Sequence, residues 1–178
     1  MKIIKRILLV VVALIGLMAV IGFFLPSNVH VERSLAMKAS PEKVFNYISN
    51  LHHFNEWSPW HKLDSTAQYT FEGPESGVGA SFSWKSNNSN VGSGKQIIIE
   101  AIPNEKVKME LYFMDNDKPA FGTYAIKKEG EGINFTWSID ADMGMNPFMR
   151  WMGLMMGMVG KMFDQGLADL KPIVENMP

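Results

Sequence analysis

The sequence predicts an α+β domain, an antiparallel sheet followed by a long C-terminal helix, standing behind one membrane-spanning helix. Three observations predict it. Residues Ile7 to Leu25 form an uninterrupted apolar run. From Ala67 to Asp140, apolar and polar residues alternate between turn signals. From Phe148 to Leu170 the apolar spacing changes to threes and fours.

Lys2, Lys5 and Arg6 precede the first run and Pro26 closes it. At about 1.5 Å rise per residue it makes a helix of roughly 28 Å, enough to cross a hydrocarbon core. A cleaved signal peptide has a shorter apolar stretch, about 7–15 residues, and a small-x-small cleavage site. The weak candidate here, Val20-Ile21-Gly22, would leave Phe23-Phe24-Leu25 at the new terminus. The expectation is therefore a retained anchor over residues 1–27 and a single domain over 28–178. Pro26 to Val31 carries no Lys or Arg, so the positive-inside rule places the N-terminus in the cytoplasm and the domain on the periplasmic or extracellular side.

Three of the 17 basic residues and none of the 18 acidic ones lie ahead of Pro26, leaving the rest of the chain near −4. That balance argues against nucleic acid and anionic lipid headgroups as partners, since both need clustered Lys and Arg. With no cysteine, a lipid-modified N-terminal Cys and a disulfide framework are ruled out. The 14 methionines are concentrated, eight of them falling between Met143 and Met162. Methionine is a flexible, polarizable filler, so the concentration suggests a surface that faces something variable.

The elements follow in order. Val29 to Met37 alternates as a strand, with Val29, Val31, Arg33, Leu35 and Met37 on one side. Ser40-Pro41 starts a short helix, Ser40 as N-cap and Pro41 at the first helical position, ending near Asn50. Leu51 to Asp64 has no clean period yet carries His52, His53, Phe54, Trp57, Trp60 and His61, so an aromatic loop covering something is expected. Strands follow around Tyr69–Phe71, Phe82–Trp84, Lys95–Ile102, Val107–Phe113, Phe121–Lys128 and Ile133–Asp140, in an antiparallel meander. One long helix, capped by Asn146 with Pro147 in its first turn, ends the chain. Gly153, Gly157, Gly160 and Gly166 lower its propensity by up to about 1 kcal/mol each, which tertiary packing must supply.

Ala39-Ser40-Pro41-Glu42-Lys43-Val44-Phe45 resembles the "a-s-p-e-x-V-f" opening of the first helix in the START-like (SRPBCC) superfamily, which includes polyketide cyclase/dehydrase-type and birch-pollen-allergen-like proteins. Phe54-Asn55-Glu56-Trp57-Ser58-Pro59-Trp60 is similar to the "W-x-x-W-S-P-W" segment of a bacterial branch, with Phe54 replacing the first Trp. Gly77-Val-Gly79-Ala80, Trp84, Gly92-Ser-Gly94 and Ile99-Glu100 resemble that branch's middle section. The resemblance covers about residues 29–175 and implies a helix-grip fold, a curved sheet around the last helix. It also implies an internal cavity that holds a hydrophobic or amphipathic small molecule. Trp57 and Trp60 would then form its rim, or alternatively plug the core. Phe82, Trp84, Met109, Phe113, Phe121 and Trp137 would line it from the sheet. Met152, Met155, Met156 and Val159 would line it from the helix, or simply fill the core. A third reading puts Phe148–Met156 in contact with a membrane, because only Arg150 is charged in that stretch.

The expected function is a membrane-anchored, noncatalytic binding domain for a lipid-like molecule. One rival is a cyclase or aromatase-type enzyme using Glu100, Tyr112 or Arg33 inside the cavity. Another is an envelope accessory protein that binds a second protein. His52, His53 and His61 match no paired metal-ligand spacing, and Gly92-Ser-Gly94-Lys95 lacks the features of a phosphate loop, so neither metal nor cofactor is expected. Asp140 and Asp142 are read as solvated, and no Ser-His-acid set supports nucleophilic catalysis.

Overall fold

A computed structural model describes residues 2–113, 117–154 and 156–177. Helix α1 (Lys2–Phe24) is long and apolar enough to cross a membrane by length and composition, a test that a signal sequence also passes. Strand β1 (Asn28–Met37) follows, then α2 (Pro41–Ser49). The Ser40 hydroxyl accepts the Lys43 backbone N–H and Pro41 opens the helix, as the sequence signal requires.

The segment read as an aromatic loop is helical instead. A 3-10 turn over Leu51–His53 leads into α3 (Phe54–Trp57) and α4 (Pro59–Leu63). Ser58-Pro59 repeats the Ser40-Pro41 device: the Ser58 hydroxyl accepts the His61 backbone N–H at 3.4 Å and Pro59 occupies the first turn. Each helix spans little more than one turn, too short to show a 3.6-residue period in sequence.

Strands β2 (Gln68–Glu72), β3 (Ser81–Lys85), β4 (Ser93–Ile102), β5 (Lys106–Phe113), β6 (Ala120–Glu129) and β7 (Gly132–Asp142) complete one curved, wholly antiparallel sheet. Its order is β1-β7-β6-β5-β4-β3-β2, which is the meander with β1 returned to the far edge. Register stacks the concave face in rows. One row carries Phe82, Gln96 and Leu111; the next carries Ile98, Met109, Gly122 and Ile139; a third carries Val107, Tyr124 and Trp137.

The expected single C-terminal helix is two, α5 (Pro147–Leu154) and α6 (Gly157–Glu175). Glycines 153 and 157 flank the break, where helix propensity is lowest. The two pieces also have different partners, because α5 packs on α1 while α6 packs on β1. Along α6, Phe163, Leu167, Leu170 and Val174 are buried at helical spacing. Gly166 lets the helix lie directly on the sheet: a Cβ there would stand 2.7 Å from the Trp137 ring and 3.2 Å from Pro59.

A polar clamp fixes α3 against α2. The Tyr47 hydroxyl donates to Glu56 Oε2 at 2.8 Å, His53 Nδ1 lies 2.7 Å from Glu56 Oε1, and the Tyr47 and His53 rings stack at 4.5 Å. Partial burial pushes the Glu56 carboxyl up, but the hydrogen bonds from His53 and Tyr47 outweigh it and hold the group below its ordinary range. Burial raises the Tyr47 phenol, and its bond to Glu56 adds to the shift.

Two outcomes follow from this packing. Trp57→Ala empties a site whose residue is 1 % exposed and should cost about 3–5 kcal/mol, read by denaturant unfolding of the full chain in detergent micelles. A carboxylate depressed in the fold stabilises it above its unfolded pKa, near 4.5, and loses that contribution as pH falls through the folded value. Glu56→Gln should therefore lower the melting temperature at neutral pH and flatten its decline below about pH 4.5. Parallel melting curves for the two proteins would show that the clamp contributes nothing.

Candidate functional site

The centre of the concave face is filled with rings. Trp57 meets Trp137 edge-on at 5.0 Å and Tyr124 at 5.6 Å, while Phe54 sits 5.2 Å from Trp57. Trp137 stacks on Phe163 of α6 at 4.2 Å, and half-buried Trp60 closes on both at 5.8 and 6.2 Å. Where α6 crosses the sheet, aromatic side chains thus occupy the space expected to be hollow. Trp57 and Trp137, like Phe82 and Met109, are core residues, at most 5 % exposed. Edge-to-face packing of this kind adds roughly 0.5–1.5 kcal/mol per pair beyond burial, so the plug is strongly held.

The remaining expected lining residues separate. Phe121 faces the convex side, because β6 turns Ala120, Gly122, Tyr124 and Ile126 inward; Lys108 Nζ stands 4.8 Å over its ring. Met152 belongs to α5 and is 53 % exposed, away from the sheet. Met155 lies outside the described residues. Trp84, Phe113, Met156 and Val159 remain. Trp84 is half-buried beside Phe82 at 5.9 Å, and Phe113 is exposed with its ring edge-on to Trp84 at 6.0 Å. Met156 and Val159 are half-buried against the core.

These four lie toward one end of the sheet, and the topology says which. The last residues of β3, β5 and β7 and the first of β1, β4 and β6 share an end in an antiparallel sheet. Leu25–Ser27 deliver α1 to the same end, where Met143 N–H donates to Ser27 O at 2.7 Å. Helix α5 lies on α1 and meets the sheet at Val29, and the apolar rows beyond the aromatic plug are only partly covered. Trp84, Leu111 and Val31 are half-buried there.

One residue in this region was missed by sequence reasoning. Gln96 sits in the row between Phe82 and Leu111, is 3 % exposed, and its Nε2 has no hydrogen-bond partner. A buried amide donor without a partner costs about 1–3 kcal/mol. The signal was present: in Gly94, Gln96 and Ile98, the glutamine is the lone polar side chain on the inward phase of β4.

The polar residues considered for acid–base chemistry do not meet. A register shift between Ile98 and Glu100 swings Glu100 to the convex face, where it pairs with Lys106 at 2.9 Å. The Tyr112 hydroxyl donates to Glu110 at 2.8 Å on that same face. Arg33 stays at the β1 edge beneath α6, bonded to Asp164 at 3.2 Å. The loop histidines have structural contacts: His52 stacks on Phe71 at 4.0 Å, His53 on Tyr47, and His61 meets Tyr69 edge-on at 5.8 Å. Two surface depressions open elsewhere. One of about 860 Å³ lies between the start of α2 and the β4–β5 turn; the other, about 190 Å³, lies beside Glu72–Glu75. None of the expected lining residues that are described borders either.

The comparisons agree with this architecture. A family model described as "Polyketide cyclase / dehydrase and lipid transport" matches residues 28–175. A search of curated proteins finds no match. Among solved structures, the di-domain ARO/CYC StfQ from the steffimycin biosynthetic pathway aligns with a TM-score of 0.62 at 12 % identity, over 83 % of this chain and 51 % of that one. The Aha1 dimer from Colwellia psychrerythraea aligns at 0.57 and 16 % identity, over 83 % and 97 %. A protein of Chromobacterium violaceum aligns at 0.55 and 16 % identity, over 85 % and 100 %. At such identities the structures share the fold alone, but the family model covers most of the sequence, and the chain belongs to the polyketide cyclase/dehydrase and lipid-transport family.

Proposed function

We propose that the protein is a membrane-anchored, noncatalytic binding domain for an amphipathic, lipid-like molecule. The ligand occupies the anchor-side end of the concave face rather than its centre. The observation that carries this reading is Gln96: a buried, unpaired amide donor set among Phe82, Trp84 and Leu111, the last two only half-buried. An apolar tail laid over Trp84 and Leu111 would gain about 25 cal/mol per Å² removed from water. An oxygen acceptor near its head would satisfy the amide, whose desolvation the empty protein already bears. The anchor supports the reading because such molecules reside in bilayers, at the end of the sheet where α1 arrives.

Gln96→Leu separates the two roles of that residue. The unliganded variant should melt at a higher temperature than the parent, because an unsatisfied donor is replaced by an apolar side chain of similar size. The same variant should bind palmitate several-fold more weakly. A diazirine-bearing palmitate presented to the full chain in nanodiscs should label peptides containing Trp84, Gln96 or Leu111, mapped by mass spectrometry. Labelling confined to α1 and α5 would overturn the proposal.

A further inference from the structure

The long apolar α1 and the short α5 are joined at a definite depth. The Trp151 indole Nε1 donates to Met18 O at 2.9 Å, and Arg150 Nη1 donates to Phe23 O at 2.8 Å and Leu25 O at 3.2 Å. Gly22 is buried beneath α5, and a Cβ there would lie 2.5 Å from Pro147 O. Met18 stands six residues before the end of α1, about 9 Å along its axis at 1.5 Å per residue. Helix α5 therefore lies beside the last turns of α1 and does not stand beyond them.

The other side of α5 is apolar and uncovered. Phe148 is 46 % exposed, Met152 53 % and Leu154 58 %, with Met149 beside them. Arg150 is the single charged residue of α5. Its guanidinium is directed inward, to carbonyls at the end of α1 that have no helical partner and to Gly144 O at 2.9 Å. The exposed surface of α5 thus continues the apolar surface of α1 without an intervening charge.

We infer that α5 is a second membrane element, an interfacial helix inserted into the leaflet next to the domain and held there by the anchor. The inference rests on the reading of α1 as a retained membrane-spanning anchor. If α1 spans, whatever touches Met18 lies among the acyl chains, about 9 Å below the end of α1, where Phe, Met and Leu are stable, and Arg150 on Phe23 O and Leu25 O marks the edge of the headgroup level. Trp151 can be held at that depth because its indole N–H is satisfied by Met18 O, while Arg150 reaches the carbonyls at the end of α1. The occupant of the exposed face is lipid acyl chain.

The chain lacks cysteine, so single nitroxide labels can be placed without background. Labels at Phe148→Cys and Met152→Cys are compared with Leu14→Cys in α1 and Val78→Cys in the β2–β3 turn, using the full chain in phosphatidylcholine vesicles. Spin relaxation by oxygen, relative to a water-soluble nickel chelate, should be several-fold higher at 148, 152 and 14 than at 78. Values at 148 and 152 that match 78 while 14 remains in lipid would overturn the inference and leave the anchor standing. An aqueous label at 14 would overturn the anchor reading itself, and the inference with it. Shielding of 148 and 152 from both reagents would show a protein surface in place of lipid, and would also overturn it.

Discussion

The stack of Trp137 on Phe163, with Trp57 driven between sheet and helices, is the contact on which the rest of this domain depends. It joins three layers at one point: the middle of the sheet, the short helices after α2, and α6. Because Gly166 brings the helix backbone onto the indole, there is no slack at that point. A close-packed centre makes the concave face two regions. One, toward Phe135 and Leu170, is sealed. The other, toward Trp84 and Phe113, is bounded by the plug on one side and, on the other, by the end of the sheet where α1 arrives.

Polar groups are sorted by the same geometry. On the convex face, next to solvent, Glu100 pairs with Lys106, Tyr112 donates to Glu110, and Lys108 stands over the Phe121 ring. Such exposed pairs contribute little to stability, typically below about 1 kcal/mol, and their placement keeps charge away from the apolar rows. Gln96 breaks that sorting, and a residue that breaks a local rule at energetic cost is where function is sought.

Much of this was legible in the sequence because it rests on local rules. The Ser40-Pro41 start, the alternation of β1 and β5, and the turn signals between hairpins each report a constraint within a few residues. Besides Gln96, four features escaped, each for a definite reason. Ser58-Pro59 carries the same start signal as Ser40-Pro41, but helices of four and five residues show no period by which to recognise them. The break between α5 and α6 is hidden because apolar spacing runs through it; only the tertiary competition between α1 and β1 decides it. The extra residue at Ile99 reverses the facing of Glu100, a shift set by register with β5. Phe121 is expected among the lining residues, whereas the inward phase of β6 belongs to Ala120 and Gly122, small side chains that leave room for Leu111 and Met109.

The junction between α1 and the sheet has a mechanical consequence. Only Leu25, Pro26 and Ser27 separate them, Pro26 is stiff, and Ser27 is already hydrogen-bonded to the chain leaving β7. A tether of that kind permits neither swing nor reach. In the proposed arrangement the domain is a fixture on its own bilayer, unable to shuttle cargo over an aqueous gap. Any transfer would have to be completed by a visitor that comes to it.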